Sequence, residues 1–120
     1  MGQLSIKLMK KGVIMDCDSS SVLLIEDNLG DIVSIRTMIS ELEDRCFELK
    51  FVETLSETLT ILEIEKFDVV LMDLGLPDSQ GFRTFTQIHN QMPELPIIII
   101  TGIEDENLRL SALKKVLRII

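Results

Sequence analysis

The stretch IIIITG, at residues 97–102, decides the fold. Four isoleucines, Ile97 to Ile100, run directly into Thr101 and Gly102. Successive side chains of a strand point to opposite faces of a sheet, so an unbroken apolar strand predicts burial on both faces. Strands of this kind are typical of parallel sheets covered by helices on both sides. The abrupt change to a hydroxyl and a glycine raises the question of what Thr101 faces.

Strand-like and helix-like segments alternate along the rest of the chain. Three further segments predict strands, namely VLLIE at 22–26, FELKFVE at 47–53 and FDVVLM at 67–72. Helical patterns follow the four strands, at 29–42, 54–62, 82–88 and 104–115. The resulting β-α-β-α-β-α-β-α order predicts an α/β fold with a parallel sheet, right-handed crossovers and helices on both faces.

The chain divides into an extension and one domain. Residues 1–20 are predicted to be an N-terminal extension or leader, which ends in the polar segment DCDSSS at 16–21. Residues 21–120 form the α/β domain. The lysines scattered through residues 7–11 do not fit a secretory signal. No run approaches the ~20 apolar residues of a membrane span.

Composition narrows the classes of function. The 120 residues are 46% hydrophobic and 27% charged, with a formal net charge of −8. An acidic chain is a poor candidate for binding nucleic acid or an anionic membrane, so neither is expected as a partner. Cys17 and Cys46 lack metal-site spacing, and reduced thiols in a cytoplasmic protein are predicted.

Polar residues follow three of the strands at the point where each ends. Glu26, Asp27 and Asn28 follow the first strand, Asp73 the third and Thr101 the fourth. Sites in open parallel sheets form beyond the carboxyl ends of the strands, so three carboxylates and a hydroxyl are expected at one edge. Each alone would suit a solvated turn, but together they favour a site.

The chemistry of such a site follows from its residue types. Gathered carboxylates with a backbone carbonyl suit Mg²⁺, which also offsets the charge of a phosphoryl group. One carboxylate can act as a nucleophile and form an aspartyl phosphate. We therefore expect Thr101 to face the acidic cluster and to hydrogen-bond a phosphoryl oxygen.

Three segments resemble blocks of the response-regulator receiver domain of two-component signalling: LLIEDN at 23–28, DVVLMDLGLPDSQG at 68–81 and IIIITG at 97–102. The resemblance covers roughly residues 22–115. It implies a flavodoxin-like, doubly wound parallel sheet with strand order 2-1-3-4-5. It also implies a phosphoacceptor domain of a phosphorelay, which is not an enzyme beyond its own phosphorylation and dephosphorylation. The partner would be a sensor histidine kinase or a histidine phosphotransfer protein.

The resemblance also implies a role for each matching residue. Asp73 corresponds to the phosphoacceptor. Glu26, Asp27, Asp73 and the backbone carbonyl of Gly75 would hold Mg²⁺. Thr101 corresponds to the switch hydroxyl that contacts the phosphoryl group.

The chain departs from the family pattern at its end. The family continues with an aromatic residue, a fifth strand bearing a lysine, and a fifth helix, whereas here the sequence ends KKVLRII with no aromatic after Phe85. Lys114 and Lys115 fall in the predicted fourth helix and are not assigned to the phosphate. The domain is therefore expected to be C-terminally truncated, without its fifth strand and helix.

The truncation should expose the fourth strand as an edge and uncover part of the first helix. Either VLRII at 116–120 folds back as a substitute strand, or another chain covers the edge. A homodimer, or other self-association through the fourth strand and helix, is expected. The alternative to a phosphoacceptor is a non-catalytic receiver-fold module for interaction or dimerisation. An aspartyl hydrolase would want a second aspartate at position 75, where the chain has Gly75.

Overall fold

The structure is a computed structural model that describes residues 2–6, 9–10, 13–14, 19–42, 46–73, 75–100 and 106–119. The strands are β1 (Gly2–Ile6), β2 (Met9–Lys10), β3 (Val13–Ile14), β4 (Ser19–Ile25), β5 (Cys46–Val52), β6 (Val69–Met72), β7 (Gly75–Leu76), β8 (Ser79–Gln80) and β9 (Ile97–Ile99). The helices are α1 (Leu29–Ser40), α2 (Leu55–Ile64), α3 (Phe82–Gln91) and α4 (Glu106–Ile119).

The main sheet has five strands in the order β1-β5-β4-β6-β9. Strands β5, β4, β6 and β9 are mutually parallel, and β1 joins β5 antiparallel. The four strands predicted from the sequence therefore lie in the order 2-1-3-4, which confirms the doubly wound topology. This order places β4 and β6 side by side at the centre, with Val22 paired to Val69 and Ile25 to Met72.

Two apolar layers cover the sheet. On one face, Leu24 and Leu71 pack with Ile35 and Ile39 of α1 and with Leu117 of α4. On the other face, the core combines the following residues of β4, β6, α2 and α3: Leu23, Ile25, Val70, Met72, Ile61, Leu62 and Ile88. Side chains of one central strand alternate between the two cores, as expected for a strand buried on both faces.

The position of α4 bears on two expectations. Leu113 and Leu117 are buried in the same core as α1, so α4 covers one side of α1, whereas Leu29 and Val33 of α1 remain exposed as an uncovered part. The segment VLRI at 116–119 is part of α4, so it is not a substitute strand. The physical reason is the spacing of Leu110, Leu113 and Leu117, which forms one apolar helical face.

Strand β9 lies at the edge of the sheet, because no described strand pairs with it beyond β6. Its residues Ile97, Ile98 and Ile99 are only half-buried. The predicted burial on both faces is confirmed in part: Ile98 packs against one core and Ile97 and Ile99 against the other, while all three keep some exposure at the expected open edge.

The first central strand begins earlier than its apolar run. Ser19 pairs with Cys46 and Ser21 with Glu48, so three serines that looked like a linker extend β4. The Ser21 backbone N–H also donates to Asp68 Oδ2 at 2.7 Å. Backbone pairing and this side-chain acceptor hold polar residues in a strand despite their low strand propensity.

Two global features concern the cysteines and membranes. Cys46 is disulfide-bonded, so the prediction of reduced thiols is wrong for this residue; the other cysteine, Cys17, lies outside the described residues. Among the helices described, none has the length and apolar character needed to cross a bilayer.

Candidate acidic site at the carboxyl edge of the sheet

Backbone hydrogen bonds between neighbouring strands position the two central carboxylates. The N–H of Glu26 donates to the carbonyl of Val52 at 3.0 Å, just past the end of β4. The N–H of Asp73 donates to the carbonyl of Ile25 at 3.0 Å, just past the end of β6. The sheet pairing thus continues one residue beyond each strand, which holds both backbones rigidly at the same edge.

Glu26 is buried, with 1% of its surface exposed. Its Oε1 accepts a hydrogen bond from the backbone N–H of Asn28 at 3.1 Å. Its Oε2 is buried and has no hydrogen-bond partner among the described residues. A buried carboxylate oxygen without a donor is costly unless it is protonated or a cation lies beside it.

The ionisation of Glu26 reflects this environment. Burial raises the pKa of Glu26 to about 7, and the negative charges of Asp73, Asp31 and Asp27 act in the same direction. The hydrogen bond from Asn28 opposes the rise in pKa. A cation beside the carboxylate would reverse the effect of the neighbouring charges and favour the ionised form.

Three carboxylates converge at this edge. One oxygen from each of Glu26, Asp27 and Asp73 lies within 4.8 Å of the others. Asp27 is exposed and Asp73 half-buried, so the cluster opens to solvent on one side. Converging carboxylate oxygens and the unpartnered Oε2 of Glu26 fit a hard divalent cation such as Mg²⁺.

The start of α1 is fixed directly beside this cluster. The side chain of Asn28 accepts a hydrogen bond from the N–H of Asp31 at 3.0 Å and so caps the helix. Asn28 therefore ties the acidic pair to the helix through its backbone N–H and its side chain together. The polar segment after β4 is a rigid helix cap and not a loose turn.

Of the residues predicted for the site, Thr101 lies outside the described residues, as does Gly102. The N–H of Ile100 donates to the carbonyl of Met72 at 3.0 Å, which continues the β6–β9 pairing to the residue before Asp73. Lys114 lies with Thr37 and Glu41 in a groove between α1 and α4, at the far end of α1 from Asn28. The structure therefore keeps Lys114 away from the acidic edge, in agreement with leaving it unassigned.

The segment after Asp73 forms a small hairpin. Strands β7 and β8 pair antiparallel, with Gly75 opposite Gln80 and Leu76 opposite Ser79. The N–H of Gly75 donates to Asp73 Oδ1 at 3.1 Å, so the first residue of the hairpin orients the predicted phosphoacceptor. Gly75 thus lies beside the cluster, where its carbonyl was predicted to serve.

The starts of α2 and α3 are capped differently. Thr54 caps α2, because its Oγ1 accepts from the N–H of Glu57 at 3.0 Å. Ser79 does not cap α3, which begins after Gly81 without a side-chain cap. The Ser79 hydroxyl instead lies 2.7 Å from the Thr84 hydroxyl.

Asp78 has a position that the sequence did not indicate. Its carboxylate, on the turn of the hairpin, accepts hydrogen bonds from the N–H groups of Leu55 and Ser56 at the start of α2. The only signal in the sequence is an acidic residue in a turn. Its partners lie 22 and 23 residues away, beyond the reach of a local motif.

Comparison with known proteins assigns the family. The model of the response regulator receiver domain matches residues 22–117. The KDP operon transcriptional regulatory protein KdpE of Escherichia coli K12 is 31% identical over 94 residues, which are 78% of this chain and 40% of that protein. The chain therefore spans less than half the length of this relative.

Solved structures share the fold. The phosphorylated cyanobacterial phytochrome response regulator RcpA aligns with a TM-score of 0.65 at 20% identity, covering 84% of this chain and 90% of that one. The chemotaxis response regulator CheY4 of Vibrio cholerae aligns with a TM-score of 0.68 at 16% identity, covering 86% and 100%. Together with the family model, the fold and the acidic edge show that this chain belongs to the response regulator receiver domain family.

Proposed function

We propose that this chain is a phosphoacceptor domain that takes a phosphoryl group on Asp73. The observation that carries the proposal is the convergence of Glu26, Asp27 and Asp73 within 4.8 Å, with one buried oxygen of Glu26 lacking a donor. Membership of the receiver family supports the same role, and one structural neighbour, RcpA, is itself a phosphorylated response regulator.

The reaction uses the Asp73 carboxylate as the nucleophile. One carboxylate oxygen attacks the phosphorus of a phosphohistidine; the phosphorus–nitrogen bond breaks, and the imidazole leaves with the bonding electron pair. Gly75 holds the attacking group, because its N–H donates to Asp73 Oδ1 and limits its rotation. Hydrolysis of the resulting acyl phosphate by water would return Asp73 to a carboxylate.

The site would work with Mg²⁺ held by Glu26, Asp27, Asp73 and the Gly75 carbonyl. When bound, the ion supplies positive charge that offsets the charge of the transferring group. The chain's own contribution is to hold the carboxylates before the ion arrives, since the backbones of Glu26 and Asp73 are fixed by the sheet. The Thr101 hydroxyl would hydrogen-bond a phosphoryl oxygen.

The donor would be a sensor histidine kinase or a histidine phosphotransfer protein in the cytoplasm. The net charge of −8 supports the absence of direct contact with nucleic acid or an anionic membrane. Disulfides are rare in cytosolic proteins, and Cys46 is disulfide-bonded. Cell fractionation is therefore the direct test of the proposed cytoplasmic location.

Intact mass spectrometry tests the phosphoacceptor role. The chain and its Asp73→Asn variant are incubated with a small-molecule phosphoryl donor, each with and without Mg²⁺. We expect a gain of one phosphoryl group that needs both Mg²⁺ and Asp73. A folded wild-type sample that gains no mass would contradict the proposal.

A second candidate is a non-catalytic module that acts by self-association. The observation that favours it is the open edge of β9, with three half-buried isoleucines beside α3 and α4. The two functions are compatible because they use different parts of the sheet. The acidic cluster follows β4 and β6 at the centre, whereas association would use β9 at the edge. Homodimerisation through this edge is therefore proposed in addition to phosphoryl acceptance.

A further inference from the structure

The turn of the β7–β8 hairpin is tied to the start of α2 by one side chain. Asp78 Oδ1 accepts the N–H of Leu55 at 2.7 Å, and Asp78 Oδ2 accepts the N–H of Ser56 at 3.0 Å. These two hydrogen bonds lower the pKa of Asp78, so the side chain is ionised at neutral pH. A carboxylate on two free N–H groups of a helix start is a charge-assisted contact.

Asp78 accepts hydrogen bonds from backbone N–H groups at the start of α2 that the local capping residue, Thr54, does not satisfy. The first turn of a helix has free N–H groups, and Thr54 satisfies only that of Glu57. Asp78 supplies acceptors for Leu55 and Ser56, the two that precede it. The two capping residues therefore act on the same helix end, but only Asp78 connects that end to another element.

The element so connected carries the residue that orients Asp73. Gly75 opens the hairpin and donates its N–H to Asp73 Oδ1 at 3.1 Å. Among the described residues, two others also anchor the hairpin: Leu76 is buried against the α2 and α3 core, and Ser79 contacts Thr84 of α3. Asp78 is the anchor at the tip, on the side of α2.

We propose that Asp78 is a positioning residue for the phosphoacceptor site: by fixing the hairpin tip to α2, it holds Gly75 against Asp73. The proposal rests on the proposed function, because the geometry it protects is that of Asp73 and of Gly75, whose carbonyl is proposed as a ligand of the cation. Asp78 accepts hydrogen bonds from Leu55 and Ser56 rather than contacting Asp73 in the described part of the chain, so its effect passes through the backbone of residues 75–78.

The physical consequence of losing Asp78 is a looser hairpin. A two-residue pair of strands is not stable alone, so its orientation depends on its anchors. Reacting groups held out of their productive geometry lose rate steeply, by up to about 10²-fold for a misplacement of about 1 Å. Movement of Gly75 would weaken both the alignment of Asp73 and the binding of the cation.

The experiment compares Asp78→Ala and Asp78→Asn with a matched control, Thr54→Ala. The control removes a cap from the same turn of α2 but leaves the hairpin tied. Three quantities are measured in each full-length variant: the rate of phosphorylation by a small-molecule donor, the affinity for Mg²⁺ by titration calorimetry, and hydrogen exchange of the amides in residues 75–80. Urea unfolding confirms that each variant is folded.

We expect Asp78→Ala to slow phosphorylation roughly tenfold and to speed exchange in residues 75–80. Asp78→Asn, which keeps one accepting oxygen, should fall between Asp78→Ala and the wild type. Thr54→Ala should lose stability with its rate and Mg²⁺ affinity unchanged. Equal losses of rate in Asp78→Ala and Thr54→Ala, or no change in Asp78→Ala, would overturn the proposal.

Failure of the positioning role of Asp78 can be distinguished from failure of the proposed phosphoacceptor function. If the wild-type chain gains no phosphoryl group, the proposed function fails on that result alone. Mg²⁺ affinity and exchange in residues 75–80 then decide the positioning role: weaker binding with faster exchange in Asp78→Ala alone supports it, and wild-type values overturn it.

Discussion

At the scale of single residues, Glu26 controls the pH at which the site can hold a cation. Its pKa is raised to about 7 by burial, so much of the population is protonated near neutrality. Cation ligands must be deprotonated, and binding therefore competes with the proton. We expect the affinity for Mg²⁺ to fall about tenfold from pH 8 to pH 6, as the ionised fraction falls.

Titration calorimetry at several pH values measures this dependence. The control is Glu26→Gln, which cannot ionise and should bind Mg²⁺ weakly with little change over this range. An affinity of the wild type that stays constant from pH 8 to pH 6 would show that Glu26 is not a ligand, or that it is ionised throughout. Glu26→Gln separates the two cases, because it weakens Mg²⁺ binding only if Glu26 is a ligand.

The same residue links stability to pH in the absence of Mg²⁺. The pKa of Glu26 is raised from 4.5 in its ordinary state to about 7 in the folded chain. The folded state therefore binds more protons than the unfolded state between these values. The free energy of unfolding should fall as the pH rises through this window, by roughly 3 kcal/mol from Glu26.

Urea unfolding at pH 5 and pH 8, with the metal chelated, measures that fall. Glu26→Gln should remove most of the difference, because a neutral amide has no proton to lose. Saturating Mg²⁺ should restore stability at pH 8, since the ion binds only the folded state. A wild type that is more stable at pH 8 than at pH 5 in chelator would contradict the assignment.

At the scale of elements, apolar periodicity and strand-end chemistry made most of the structure predictable. The spacing of apolar residues in α1 predicts a helix, and the continuous apolar runs of β4 and β6 predict buried strands. The acidic edge followed from topology alone, because the carboxyl ends of parallel strands meet. Glu26 and Asp73 could therefore be predicted to lie close together although they are 47 positions apart in the sequence.

Other elements could not be predicted, for physical reasons. The β7–β8 hairpin and the tie from Asp78 to α2 depend on groups that meet only after folding. Ser19 joins β4 because β5 provides backbone hydrogen-bond partners. A serine-rich segment does not by itself predict such pairing. The sequence of α4 shows only that one side of the helix is apolar. Which face of the sheet this side covers depends on which apolar surface the other helices leave uncovered.

Helix α4 gives a test of that packing. Leu117 is fully buried in the core shared with α1. Leu117→Ala should lower the free energy of unfolding by about 2–5 kcal/mol, through lost apolar contact and the cavity left behind. The control is Leu108→Ala on the same helix, 64% exposed, which should change it by less than about 0.5 kcal/mol. Equal, small effects in urea unfolding would show that α4 does not cover α1.

At the scale of the whole molecule, the two edges of the sheet differ. On the side of β5 the sheet is extended by β1, which pairs antiparallel from Gly2 to Ile6 and is the outer strand there. The edge at β9 has no partner among the described residues. An apolar strand with unpaired backbone groups is a template for another strand, so association is expected at the β9 edge. A closed pair related by two-fold symmetry would satisfy it.

The backbone pattern shows which residues face that open edge. The carbonyl of Pro96 accepts from Val70 and the N–H of Ile100 donates to Met72, so residues 96, 98 and 100 turn toward β6. Since these groups alternate along a strand, the N–H of Ile99 points outward. Ile99→Pro removes an outward donor without breaking a hydrogen bond to β6.

We expect the wild type to sediment as a dimer and Ile99→Pro as a monomer at the same concentration. The matched control is Ile99→Ala, which shortens the half-buried side chain but keeps the N–H and should still associate. Sedimentation velocity measures both. If Ile99→Pro and the wild type sediment alike as dimers, the contact lies elsewhere. If the wild type is monomeric at every concentration, the edge of β9 does not drive self-association of this chain.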